Sequence, residues 1–231
     1  TLKLDGDIKL TLFPSIGARL EKISLSEFNS DKEFAAIDSA NVSVALLPLL
    51  SRQLVVDEVA ARGVKVQVIK LRDGSNNYDD LVGKADQAAP AESQQAAQPG
   101  IAVAFDIAAI KVENAELSYR DEAKGAQYRL KDLNLKTGRL ANNLPCKVDF
   151  KVVVQANEPK LDIAAQLHTI LTFDLEAMRF KVEALDFQAR GSALDISNME
   201  LQASGDASAN LTTQEYTARK LSVSASGVKD K

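Results

Sequence analysis

Tryptophan is absent, cysteine and histidine occur once each, and aromatic residues make up only 5% of the 231-residue chain. The lone cysteine, Cys146, cannot close an internal disulfide, so there is no cross-linked framework of the small secreted kind. The lone histidine, His168, cannot build a multi-histidine metal centre, and a hydrolytic triad would need an orienting acid and a nucleophile beside it. A Gly-rich phosphate loop, a cysteine quartet and a GxSxG elbow are also missing. No apolar run approaches the roughly 20 residues that cross a bilayer as a helix, and the first residues lack a signal-peptide layout. Positive charge is not in excess: 28 Lys+Arg stand against 32 Asp+Glu, a formal net charge of -4. Nucleic acid, which is held by a basic face that displaces counterions, is therefore not an expected partner. The chain starts at Thr1 rather than Met, which reads as an excised or processed piece.

What the sequence does contain is alternation. With 45% hydrophobic and 26% charged residues the composition is that of a folded chain. Its apolar residues recur at every second position, the period that sorts a strand's side chains onto two faces. Leu2, Leu4, Ile8, Leu10 and Leu12 predict a half-buried strand with Gly6 as a bulge, ended at Pro14-Ser15. Further strands are predicted around Ala18–Leu25, Phe34–Leu46 and the two runs flanking Gly63, with phase slips that mark bulges. Leu46 to Leu50 is apolar on too many sides for an alternating strand and reads as a helical turn. Beyond residue 100 the alternation lengthens through Val103 and Phe105, then Phe150, Val152 and Val154, then Ile163 and Leu167, and on through Phe173, Phe180 and Phe187. Residues 84–100, KADQAAPAESQQAAQPG, hold no large apolar side chain and read as a linker or insertion. The segments 107–138 and 180–205 share a rhythm of paired strands, which suggests repeated hairpins.

Candidate chemistry is thin. The neighbouring carboxylates Asp79 and Asp80 point apart and do not span a cleft as a glycosidase pair must. DGSNNYDD from Asp73 offers oxygen ligands at alternate positions, but Tyr78 stands where an EF-hand loop needs glycine and Lys84 where it needs a bidentate glutamate. No enzyme activity, metal or cofactor is expected. Two readings of the strands remain: a sandwich in which a second sheet covers the apolar face, or an open bent sheet whose apolar face receives a lipid tail.

Specific residues favour the second reading. A strand running into Leu12-Phe13-Pro14-Ser15-Ile16-Gly17, then Val44-Ala45-Leu46-Leu47-Pro48-Leu49-Leu50, then LVVDEV with Gly63-Val64-Lys65-Val66, and finally Asp73-Gly74-Ser75-Asn76-Asn77-Tyr78-Asp79-Asp80-Leu81 resembles the N-terminal region of the AsmA family of bacterial envelope proteins. The resemblance implies a periplasmic body, attached to the inner membrane by an anchor not present in this chain, with a part in outer-membrane biogenesis. It also implies kinship with bridge-type lipid-transfer proteins, TamB-like and chorein-containing ones included, and phospholipid as the bound partner. The expected fold is mostly β: an elongated, strongly curved antiparallel sheet, a β-groove or half-pipe, with one or two short helices. Residues 1–83 form the AsmA-like N-terminal β unit, 84–100 the Ala/Gln/Pro-rich linker, and 101–231 the long-stranded continuation. The expected groove lining is Val103, Phe105, Phe150, Val152, Val154, Ile163, Leu167, Phe173, Phe180 and Phe187, with Leu46, Leu47, Leu49 and Leu50 as a helical plug at its mouth. The alternative function is a non-enzymatic envelope scaffold that assembles outer-membrane proteins.

Overall fold

The computed structural model describes residues 2–27, 30–50, 55–82 and 106–229. The N-terminal elements are β1 (Leu2–Leu4), β2 (Ile8–Thr11), β3 (Ser15–Ser26), β4 (Glu33–Ala45), helical turn α1 (Leu46–Leu50), β5 (Val56–Arg62), β6 (Lys65–Lys70) and α2 (Asp79–Val82). The remainder is β7 (Asp106–Ile107), β8 (Ile110–Asp121), β9 (Ala126–Thr137), β10 (Leu140–Ala141), β11 (Cys146–Asn157), β12 (Lys160–Asp174), β13 (Arg179–Ala193), β14 (Ile196–Asn210) and β15 (Glu215–Lys229). All the strands join one sheet; from β6 its order is β6-β8-β9-β11-β12-β13-β14-β15, while β3 and β4 continue it on the other side, with β1 and β2 both on β3. The N-terminal unit and the continuation predicted from sequence thus share one sheet.

The sheet departs from the expected antiparallel pattern at one seam. β5 and β6 run parallel to β8, from Val59↔Ile110 to Arg62↔Glu113 and from Lys65↔Glu116 to Lys70↔Asp121. Together they act as a single row kinked at Gly63, which is buried with φ 63° and donates its N–H to the Glu113 carbonyl. A parallel join cannot be made by a tight turn; the chain must travel back along the strand before it re-enters. Residues 71–105 make that return, so the Ala/Gln/Pro-rich segment, whose residues 84–100 lie outside the described ones, falls where topology demands a long connection. Val103 and Phe105 lie outside the described residues as well.

The block around Asp73 proves structural. Asp73 accepts from the backbone and hydroxyl of Ser75 across a turn with Gly74 at φ 90°. Asn77 then staples the turn to the sheet: its Oδ1 accepts from the Ile69 N–H at 2.9 Å, and its Nδ2 donates to Glu27 Oε1 at 2.8 Å and to the Gln67 carbonyl at 2.9 Å. Three hydrogen bonds from one half-buried amide make Asn77→Ala costly. A loss of about 2 kcal/mol is expected, read as a lower urea midpoint at unchanged m value.

One hairpin turn recurs. Asp121 Oδ1 accepts from the N–H groups of Ala123 and Lys124, Asp174 Oδ1 from Ala177, and Asn210 Oδ1 from Thr212 and Thr213. Each four-residue turn ends in a left-handed residue, Gly125, Met178 or Gln214. The short side chain takes up donors the turn would leave orphaned, which is why Asp and Asn stand there. The backbone bonds, chiefly from Lys124 to Asp121 and from Ala177 to Asp174, hold both carboxyls below the ordinary carboxylate range of about 3.8. A depressed folded-state pKa stabilises fully above the unfolded value and is lost as pH falls through the folded value. The protection of the Ala123, Lys124 and Ala177 amides, relative to their intrinsic exchange rates, should therefore fall only in the acid range, below about pH 4, as hydrogen exchange followed by NMR would show.

Candidate functional site

The register places the apolar side chains on one continuous face. Across β11 and β12, Phe150 pairs with Leu167, Val152 with Ala165 and Val154 with Ile163. The row continues from Leu167 to Phe187 and from Phe173 to Phe180 on β13, then from Phe187 to Ala203 on β14 and Val223 on β15. In the other direction Phe150 meets Leu135 of β9, which meets Val112 of β8. Val112 lies beside Ala61 of β5, itself opposite Ala40 of β4 and then Leu20 of β3. The lining residues Phe150, Val152, Val154, Ile163, Leu167, Phe173, Phe180 and Phe187 therefore share a face, and it runs on well past them.

That face is not covered by a second layer among the described residues. The buried apolar residues among the described ones are Ala126, Ala141, Cys146, Val152, Phe173 and Ala189, too few for the core of a two-layer domain. Large apolar side chains on the same face are exposed, including Leu2 at 62%, Val42 at 50%, Leu117 at 40% and Leu221 at 62%. The half-buried first strand expected from sequence is instead exposed throughout β1 and β2, because among the described residues β3 is its sole partner and nothing packs over it. In α1, Leu47 is 75% exposed and Leu49 38%; Leu46 is half-buried, and the helix touches β4.

Bulges keep the apolar face in phase along strands of up to 15 residues. The apolar interval widens from two to three at Leu20–Ile23, Val112–Ala115, Leu130–Leu133, Val182–Leu185, Met199 after Ile196, and Ala218–Leu221. Each gap contains a residue with positive φ: Lys22, Asn114, Asp132, Ala184, Asn198 and Lys220. One extra residue in the left-handed region restores the alternation to the same side while bending the strand and raising its twist. Leu130, Leu133, Leu135, Leu117 and Leu201 of the same face were not among the lining residues named from sequence, although this three-residue interval would have found them.

The other face is polar and charged. Lys111–Glu113, Lys181–Glu183 and Arg190–Glu200 pair there at 2.8–3.3 Å as exposed ion pairs that add little stability. His168 lies on that face too, with Nδ1 at 2.6 Å from Asp149 Oδ1 and Asp186 opposite it on β13. Cys146 belongs to the apolar face, fully buried, and burial pushes its thiol pKa up. The two residues are on opposite sides of the sheet and cannot act as a thiol–imidazole pair. A hollow between Lys151, Gln166, Gln188, Arg190 and Asp132 opens on the polar side and is lined by both signs of charge.

A family model described as the AsmA family matches residues 1–228. Protein AsmA of Escherichia coli (strain K12) is 23% identical over 226 residues, covering 97% of this chain and 35% of that protein. The chain thus spans about a third of the length of that curated relative. With a family match running from one end of the sheet to the other, the chain belongs to the AsmA family.

Proposed function

We propose that this chain is a periplasmic, AsmA-type element of outer-membrane biogenesis that shelters phospholipid acyl chains on its apolar sheet face, without enzymatic chemistry. In the full-length protein it is held to the inner membrane by an anchor outside this chain. The observation that carries the reading is the single continuous apolar face with no second layer over it among the described residues. Water on such a face is unfavourable, and an acyl chain is a flexible occupant that needs no shape match.

Magnitudes set the mode of binding. An acyl chain of about 16 carbons lying on one side of a sheet hides roughly half its methylene surface, on the order of 6 kcal/mol at about 0.8 kcal/mol per methylene. Association costs remove much of that. A flat face would hold lipid weakly, whereas bending of the strands around the chain at the bulge line raises the buried fraction and with it the affinity. The expected behaviour is exchange with a membrane reservoir rather than capture from water.

Native mass spectrometry of the purified chain, with extraction of co-purified lipid, tests this. Phospholipid adducts, or uptake of labelled phospholipid on incubation, are expected. A lipid-free spectrum with no uptake would overturn the reading and leave an envelope scaffold that recruits outer-membrane proteins.

A further inference from the structure

The two ends of the long strands differ in chemistry. At one end the turn residues are Asn142-Asn143-Leu144-Pro145 before β11, Leu175-Glu176-Ala177-Met178 between β12 and β13, and Leu211-Thr212-Thr213-Gln214 between β14 and β15. Glu176 is the sole charge among them. Leu144 is 42% exposed, Leu175 50%, Met178 40% and Leu211 45%. At the opposite end the turns are Glu122-Ala123-Lys124-Gly125, Glu158-Pro159 and Leu194-Asp195, and every one carries charge.

The turns at the first end are stitched into one platform. The Leu175 N–H donates to Asn142 Oδ1 at 2.8 Å and the Asn143 N–H to the Phe173 carbonyl at 2.7 Å. The Leu211 N–H donates to the Met178 carbonyl at 3.0 Å, and Thr212 Oγ1 to the Ala177 carbonyl at 3.5 Å. Beside them an apolar hollow lined by Phe180, Val182, Ala209, Tyr216 and Ala218 opens onto the sheet face, and Tyr216 is 71% exposed at its lip. Farther along this same end of the sheet Leu12, Phe13 and Leu47 are exposed at 72%, 80% and 75%.

We propose that this platform docks on a lipid bilayer surface, with Leu144, Leu175, Met178 and Leu211 reaching below the headgroups. Charge decides between the ends: carrying an unpaired charge into that layer is costly, and at this end the turn segments hold Glu176 alone while the flanking Arg139 and Arg179 are paired with Asp106 and Asp174, whereas every turn at the other end carries charge. The asparagine and threonine side chains and the Tyr216 ring suit the wet, amphipathic headgroup zone. Apolar tips on separate turns, rather than one shaped cleft, fit a medium that moulds around each of them. Docking stands on the turns alone. Its purpose, passing an acyl chain from the bilayer into the hollow at Phe180 and Tyr216 without crossing water, rests on the lipid-sheltering reading.

Flotation with vesicles of phosphatidylcholine alone, at low and high salt, tests the docking. Wild-type protein should float in both. The double substitution Leu175→Asp with Leu211→Asp, at exposed turn positions, should lower the bound fraction by at least about tenfold. Leu194→Asp at the charged end should not change it. Failure of wild type to float, equal flotation of the double variant, or flotation that requires anionic lipid and vanishes with salt would each overturn the proposal. Dimerisation of wild type that the double variant loses, without flotation, would assign the platform to a second copy. Uptake of a labelled lysophospholipid monomer from solution reports on the sheet face separately, so a failure of docking and a failure of lipid sheltering can be told apart.

Discussion

Replacing Gly191 with alanine is expected to lower stability by about 3 kcal/mol or more. Gly191 on β13 holds φ at 151°, a conformation that other residues rarely adopt. A methyl group there would fall inside the contact radius of the Asp162 carbonyl oxygen on β12 and 2.9 Å from Ile163 Cα. Those are backbone atoms of a paired strand, so the ladder Ile163↔Gly191 has to open to make room. The neighbours on the apolar face, Ile163 and Met199, would separate with it. Urea unfolding followed by far-UV circular dichroism measures the loss; a midpoint within error of wild type would show that the strands part there at little cost. Gly125, with open space around it, is the control, since alanine there meets only the strain of its φ of 70°.

Leu167→Asp should abolish most lipid uptake and yet leave the protein folded. Leu167 sits in the middle of the row Phe150–Leu167–Phe187 and is half-buried. In a two-layer core an unpaired carboxylate costs several kcal/mol and the chain unfolds. On a face with protein on one side alone, the carboxylate keeps water on the other, so the stability cost stays near that of the lost cross-strand pairs, about 1–2 kcal/mol. The same hydrated charge repels an acyl chain laid across it, and uptake should fall at least about tenfold. The comparison of uptake with the unfolding midpoint discriminates. Unfolding with loss of dichroism would mean that the face is covered, and unchanged uptake in folded protein would mean that lipid lies elsewhere.

Much of the sheet was legible because each strand reports its faces through the period of its apolar residues. Strands β11 to β13 could be phased residue by residue, and eight of the ten lining residues named from sequence fall among the described residues and share a face. Pattern alone did not reveal the parallel seam: β5, β6 and β8 alternate as an antiparallel strand would, and which neighbour they take depends on the path of the chain between them. Nor did it show that β1 and β2 would be exposed, since alternation says which side chains share a face but not whether anything lies over it. The bulges were legible in part. Slips of phase in the strands before Leu46 were read as bulges, whereas the slips of three at Val112–Ala115 and Leu130–Leu133 were not picked out, so the apolar face of β8 and β9 went unphased. The platform of turns escaped because its residues are distant in sequence and meet only when the hairpins are set side by side.

The parallel seam also governs the order of assembly. Every junction from β8 to β15 is antiparallel, and those from β11 onward join neighbours through two- or four-residue turns, so their contacts are local and quick to form. The pairing of Lys65–Lys70 with Glu116–Asp121 must instead wait for a long loop to close. The C-terminal meander should therefore condense first and serve as the template on which the N-terminal strands zip up. Because closure entropy rises only by about 0.6 kcal/mol for each doubling of loop length, the return segment can lengthen or shorten between relatives with little thermodynamic consequence. The seam is thus a place in the sheet where new sequence can be spliced in without disturbing a rung of the ladder.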